Sequence, residues 1–160
     1  MAYAPHRAKL ATPIGPIVIE GSADALTGIT ILPEDSTADD VIAAENGAVA
    51  EAVQQISAYF DGSLRQFDLP LTPSANPRGE YLRAAIAAIP YGETLTYGQL
   101  AQLHGSGARA VGGACARNPF PIVIPCHRVL PAAGGVGNYS GPAGWKERLL
   151  AIEAKTREAT

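Results

Sequence analysis

At 160 residues, 47% of them apolar, the chain can hold one ordinary domain or two small ones around a sizeable core. It contains no run of about 18 uncharged apolar residues, which excludes a membrane-spanning helix. The net charge of −3 speaks against a nucleic-acid partner only until the chain is halved: residues 1–80 carry four basic side chains against eleven acidic ones, residues 81–160 eight against four, so an acidic half precedes a basic half that could meet a polyanion.

The first seven residues carry charge without a following apolar region, so no secretory signal is expected. Cys115 and Cys126 are the only cysteines, too few for a disulfide framework, and a reducing, cytoplasmic setting follows as the expectation. Across residues 12–32 two β-branched runs, 17–19 and 29–32, flank a Gly/Ser/Asp segment and predict an antiparallel pair. An acidic loop, 33–40, comes next. Val49, Ala52, Val53, Ile56 and Phe60 then recur at helical spacing up to the Asp61-Gly62 stop, and residues 67–71 predict a further short strand. The Pro-rich, small-residue segment 72–79 reads as a linker.

The second module opens with a helix carrying Leu82, Ala85, Ile86 and Ile89 on one face, halted at Pro90-Tyr91-Gly92. Thr96-Tyr97-Gly98-Gln99 has the form of a capping box and predicts a helix to about His104. After Gly105-Ser106-Gly107 a second helix runs from Ala108 to about Arg117, ended by Asn118-Pro119, so the pair reads as a helix-turn-helix. Gly112 and Gly113 in that helix cost about 1 kcal/mol each relative to alanine, so the missing side chains should serve a close approach. Either the helix packs tightly inside the protein, or it enters a narrow DNA groove with Arg109 as the side chain that reaches in.

Ile122-Val123-Ile124 predicts a short buried strand that hands Cys126, in Ile124-Pro125-Cys126-His127-Arg128-Val129, to a glycine-rich segment. A thiol reacts as its thiolate, and His127 and Arg128 supply a field or a base for forming it; the alternative is a small buried hydrophobe. The loop 131–144, containing Gly137-Asn138-Tyr139-Ser140-Gly141, is either a pocket wall or plain surface. A last helix, residues 145–156, sets Glu153 beside an apolar stripe, as a solvated edge residue or as the group that orients a histidine. The elements together predict an α+β chain. It comprises a small N-terminal α/β domain with an antiparallel sheet (1–71), the linker (72–79) and a mainly helical C-terminal domain with the helix-turn-helix (80–160).

Taken together, Arg109-Ala110-Val111-Gly112-Gly113, Asn118-Pro119, the Pro-Cys-His-Arg-Val motif at 125–129, residues 137–141 and Leu149-Leu150 with Glu153 resemble the O6-alkylguanine-DNA alkyltransferase family. Thr12-Pro13-Ile14-Gly15-Pro16 and Ala58-Tyr59-Phe60-Asp61-Gly62 resemble its first domain, so the likeness spans nearly the whole chain. Such a resemblance implies stoichiometric, irreversible transfer of an alkyl group from guanine O6 in double-stranded DNA to Cys126. His127 would deprotonate the thiol through a water and Glu153 would orient His127. Tyr97 would donate to guanine N3, and Asn118 would brace the active-site loop. Arg109 would fill the gap left by the flipped nucleotide, with Ala108, Gly112, Gly113, Arg117 and Arg128 also facing DNA; Val129, Tyr139, Ser140 and Gly141 would line the base pocket.

The same resemblance implies no cofactor and a monomer in solution, with cooperative assembly on DNA left open. Members that bind zinc use first-domain cysteines. None precedes Cys115, and Cys115, Cys126 and His127 lack a zinc spacing, so no metal site is expected. The chain departs from the family at Arg78 and Arg83, where an aromatic pair is frequent, and at Pro142, where glycine is common. Two other readings are a lesion-binding module that accepts no alkyl group and a Cys-His hydrolase, which would need multiple turnover.

Overall fold

Chemistry-bearing residues of this chain gather in its second half, and the first half is a separate folded unit. A computed structural model of the protein describes residues 6–33, 41–42, 47–134 and 144–158. The chain divides into two units, Met1–Thr72 and Pro73–Thr160.

In the first unit, strands β1 (His6–Leu10), β2 (Ile17–Gly21), β3 (Leu26–Ile31) and β4 (Val41–Ile42) form a sheet in the order β3-β2-β1-β4, with every neighbouring pair antiparallel. The expected pair is β2 and β3, in register Ile17 to Ile31 and Ile19 to Ile29. Helix α1 (Gly47–Asp61) packs on β1 and β2, burying Val49, Ala52, Ile56 and Tyr59. Gly21 sits where the register shifts; a Cβ there would stand 2.6 Å from the Ala25 carbonyl oxygen, so only glycine fits. Strand β1 was not anticipated because its His-Arg-Ala-Lys-Leu sequence places only Ala8 in the core. The strand expected over 67–71 reduces to one parallel bridge, Leu71 with Leu26, beside Pro70, which has no N–H to donate to a ladder.

In the second unit, helix α2 (Pro77–Ala87) begins inside the segment expected as a linker, so residues 77–79 are helix. Asn76 caps it by accepting from Gly79 N at 2.8 Å, and Pro77 occupies the first turn, where no N–H is needed. Strand β5 (Leu95–Thr96) leads into α3 (Tyr97–Leu103), whose capping box is made as expected. Gln99 N donates to Thr96 Oγ1 at 3.0 Å, and Thr96 N to Gln99 Oε1 at 2.9 Å. Gly105, at φ +63°, turns the chain into α4 (Ala108–Ala116), which packs on α3 to complete the helix-turn-helix. A single 3-10 turn (Cys126–Arg128) and strand β6 (Val129–Leu130), parallel to β5, precede α5 (Trp145–Glu158).

The expected strand at 122–124 is not formed. Pro119, Pro121 and Pro125 cannot donate to a ladder, and the chain instead closes a turn in which Ile124 N donates to Phe120 O at 2.8 Å. Ile122 takes φ 77°, a left-handed conformation that costs a β-branched residue on the order of 1–3 kcal/mol. Burial of Phe120, Ile122, Val123 and Ile124 holds the turn. The result is a rigid, strained support immediately before Cys126.

Candidate active site

Cys126 and His127 lie in the 3-10 turn, both buried, with the Cys126 backbone N donating to Ile124 O at 2.7 Å. Asn118, at the end of α4, braces this support on two sides: its Nδ2 donates to Ile124 O at 2.9 Å and its Oδ1 accepts from Phe120 N at 3.0 Å. Burial pushes the Cys126 thiol above its ordinary pKa; a hydrogen bond with Asn118 and the charge of Lys146 oppose that rise. The resting group is therefore a neutral thiol that needs a base.

His127 supplies one. Its Nε2 lies 2.6 Å from Glu153 Oε2 on α5. Burial would raise the pKa of Glu153, yet hydrogen bonds from His127 and Arg128 hold the carboxyl far below the usual carboxylate range. An ionised carboxylate only accepts, so Nε2 carries the proton and donates. Burial also lowers the His127 pKa, against the pull of Glu153, so the ring is neutral and its Nδ1 is left with an acceptor lone pair. Nδ1 is buried and has no hydrogen-bond partner among the described residues. An imidazole so held is a base with its lone pair unused.

Arg128, expected to face DNA, does not. It is 5% exposed; its Nε and Nη2 donate to Glu153 Oε1 and Oε2 at 2.8 and 2.9 Å, and its Nη1 donates to Ile89 O at 2.7 Å. A guanidinium with a buried carboxylate in reach gains more from that fork than from solvent, so the side chain turns inward. Glu153 Oε1 also accepts from Gly92 N at 3.1 Å. The Pro90-Tyr91-Gly92 segment, read from sequence only as a helix stop, thus forms one wall of the network.

Lys146 was missed. Its side chain is fully buried, its Nζ donates to Val129 O at 2.9 Å and lies 5.9 Å from the centre of the Tyr97 ring. Burial lowers its pKa, and the nearby Cys126 and Cys115 oppose that effect, so the ammonium is placed to stabilise a thiolate. A signal existed: Lys146 and Glu153 are seven residues apart, two turns of one helix face. Cys115, on α4, is also buried, and desolvation pushes its thiol up to about 12, which keeps it unreactive.

Of the residues expected to meet DNA, Ala108 and Arg109 are exposed on α4 and Arg117 at its C-cap. A Cβ added at Gly112 would meet nothing within 4 Å, whereas at Gly113 it would stand 3.0 Å from Arg117 Nη1. Tight internal packing therefore does not account for Gly112. Val129 is buried beside Lys146; Tyr139, Ser140, Gly141 and Pro142 lie outside the described residues.

The network makes stability depend on acid. His127 has a folded-state pKa below its ordinary 6.5 and Glu153 one below its ordinary 4.5, so for both the unfolded chain takes up protons first. Stability is lost as pH falls below about 6.5 for His127 and again below about 4.5 for Glu153. Melting temperatures measured from pH 8 to pH 4 should fall in that order; a constant value over the range would contradict the arrangement.

Comparison with known proteins places these features in context. Residues 6–73 match the 6-O-methylguanine DNA methyltransferase, ribonuclease-like domain, and residues 80–155 the 6-O-methylguanine DNA methyltransferase, DNA binding domain. The methylated-DNA–protein-cysteine methyltransferase of Mycobacterium leprae is 39% identical over 151 residues, 92% of each chain. The crystal structure of the Mycobacterium tuberculosis O6-methylguanine methyltransferase superposes with a TM-score of 0.79 at 35% identity, covering 96% of this chain and 94% of that one. The crystal structure of Mycobacterium tuberculosis OGT in complex with DNA superposes with the same score at 37% identity, covering 94% of each.

Proposed function

Because the chain belongs to the 6-O-methylguanine DNA methyltransferase family, we propose that it repairs double-stranded DNA by moving an alkyl group from guanine O6 to Cys126, irreversibly and once per molecule. The observation that carries this reading is the buried sequence of Cys126, His127 and Glu153, in which a neutral imidazole keeps Nδ1 open beside the thiol's own turn.

Through a bound water, His127 Nδ1 takes the Cys126 proton; the imidazolium is stabilised by Glu153, and the thiolate by Lys146. Sulfur attacks the alkyl carbon, the S–C bond forms as the C–O6 bond breaks, and the electron pair leaves on guanine. Tyr97 donates to guanine N3 as the base departs; its phenolate regains a proton from solvent while the His127 imidazolium releases one, so the proton lost by the thiol is balanced by the one gained by guanine. The thioether has no leaving group to return the protein to its starting state, so each molecule acts once. Asn118 keeps the support before Cys126 in place. Val129, buried beside Lys146, would line the base pocket. The protein acts as a monomer in a reducing compartment such as the cytoplasm, where Cys126 stays a thiol.

An alkyl carbon on O6 within a duplex is shielded, so the base must be flipped out at a cost of a few kcal/mol. Helix α4 in the minor groove, with Arg109 in the vacated stack, would offset that cost. Gly112 supports this placement, since its cost in helix stability has no return inside the protein. Gly112→Ala should therefore raise folding stability by about 0.5–1 kcal/mol while weakening duplex binding. Denaturant melts and a binding titration check both; tighter or equal binding would remove α4 from the groove.

The direct test is intact-protein mass spectrometry after incubation with excess duplex carrying one O6-methylguanine, followed by peptide mapping. One CH2 gained per molecule, on Cys126, is expected. Tight binding without a mass shift would make the chain a lesion-binding module instead.

A further inference from the structure

A cavity of about 330 Å³ opens in the second unit between α2 and the flank of α4. Leu82 and Ile124 supply apolar wall, Asn118 contributes to its lining, and Arg78, Arg83 and Arg117 bring three guanidinium groups to it. These arginines are not equivalent. Arg83 is neutralised by Glu80, 3.2 Å away, and lies over the Phe120 ring with 5.2 Å to its centre. Arg78 and Arg117 are exposed, and no carboxylate lies within ion-pair distance of either among the described residues.

Arg78 is nonetheless held, and Arg117 is folded back on its own helix. Arg78 Nη2 donates to Ser106 Oγ at 2.8 Å, which ties it to the turn of the helix-turn-helix. Arg117 lies back over Gly113, where a Cβ would stand 3.0 and 3.2 Å from its two terminal nitrogens. Two long, charged side chains positioned at one opening without an anionic partner are pre-organised for an anion from outside.

The location identifies that anion. Ala110, Ala114 and Arg117 line the cavity as one stripe along α4 and its C-cap, at i, i+4 and i+7, beside the face that carries Arg109 and Gly112. A helix about 10 Å across, entering a minor groove about 6 Å wide, brings the phosphate rows that border the groove against its flanks. We propose that the mouth of this cavity, with Arg78 and Arg117, grips a backbone phosphodiester of the DNA outside the flipped nucleotide. This inference rests on the placement of α4 argued above. It adds Arg78, on α2, to the DNA-facing surface. The gripped strand would be held on the piece that carries the thiol, because Asn118, which lines the cavity, also anchors the support before Cys126.

Salt dependence of duplex binding tests it, since each neutralised phosphate contributes about −0.9 to the slope of log K against log salt concentration. The wild-type slope should become shallower by about 0.9 in the Arg78→Ala/Arg117→Ala double variant, with part of that change in each single alanine variant, and Arg78→Lys and Arg117→Lys should restore most of it, because the charge carries the effect. Arg65→Ala, in the first unit, serves as a charge-matched control with the wild-type slope. Wild-type slopes in both alanine variants would overturn the proposal. So would unchanged DNA slopes accompanied by loss of inorganic phosphate binding, which would make the cavity a small-anion site. Failure of the wild-type protein to transfer methyl would instead defeat the alkyltransferase reading, so the two failures are told apart.

Discussion

Cys126→Ala should abolish alkyl transfer while the variant still binds a lesion-bearing duplex. The thiol is buried and takes no part in the surface of α4, so its removal leaves Arg109, Gly112 and Arg117 as they are. Losing one buried sulfur costs about 1 kcal/mol in packing, too little to unfold a domain. The second thiol does not substitute: Cys115 is on α4, and burial keeps it protonated, with a pKa pushed up to about 12. Mass spectrometry of the variant with methylated duplex should therefore show no adduct at either position. An adduct on Cys115 would mean that the reactive sulfur has been misassigned, and loss of duplex binding would mean that Cys126 serves the fold.

Glu153→Gln should damage both the fold and the chemistry. The carboxylate accepts from His127 Nε2, from Arg128 Nε and Nη2, and from Gly92 N. An amide of the same shape offers one oxygen, and its NH2 group must point at a donor. The Arg128 guanidinium would then be a buried charge without its counter-ion, which costs on the order of 3–5 kcal/mol. His127 would lose the anion that steadies the imidazolium, and the transfer rate should drop by about 10²–10⁴ when measured well below the melting temperature of the variant. Replacing Glu153 and Arg128 together with apolar residues should recover much of the stability but not the rate. A single Gln variant that melts and reacts like the wild type would remove Glu153 from both roles.

Arg128 shows how a residue can be singled out for a sound reason and given the wrong direction. Its charge beside Cys126 in a basic half of the chain suggested a DNA contact. Its neighbours in the fold, Glu153 and the Ile89 carbonyl, are 25 and 39 positions away and left no trace near the motif. Lys146 was overlooked for a related reason: a lysine in the first turn of a helix reads as solvated, and only the packing of α5 shows its ammonium on the Val129 carbonyl. The strand expected at 122–124 failed on local grounds that were available, since prolines at 119, 121 and 125 surround it.

Legible in the order of residues is the part written between near neighbours: the Thr96 and Gln99 capping box, the glycine turn before α4, the apolar face of α1 and the Pro-Cys-His-Arg-Val motif. Caps, turns and periodicity are interactions between near neighbours, so the order of residues contains them in full. Long-range packing turns Arg128 inward, buries Lys146, brings Gly92 N to Glu153 across 61 positions and leaves the space beside Gly112 empty. Each of these depends on which buried polar group finds its partner. A desolvated charge or N–H takes the acceptor that the packing brings to it, however far away in sequence that acceptor lies.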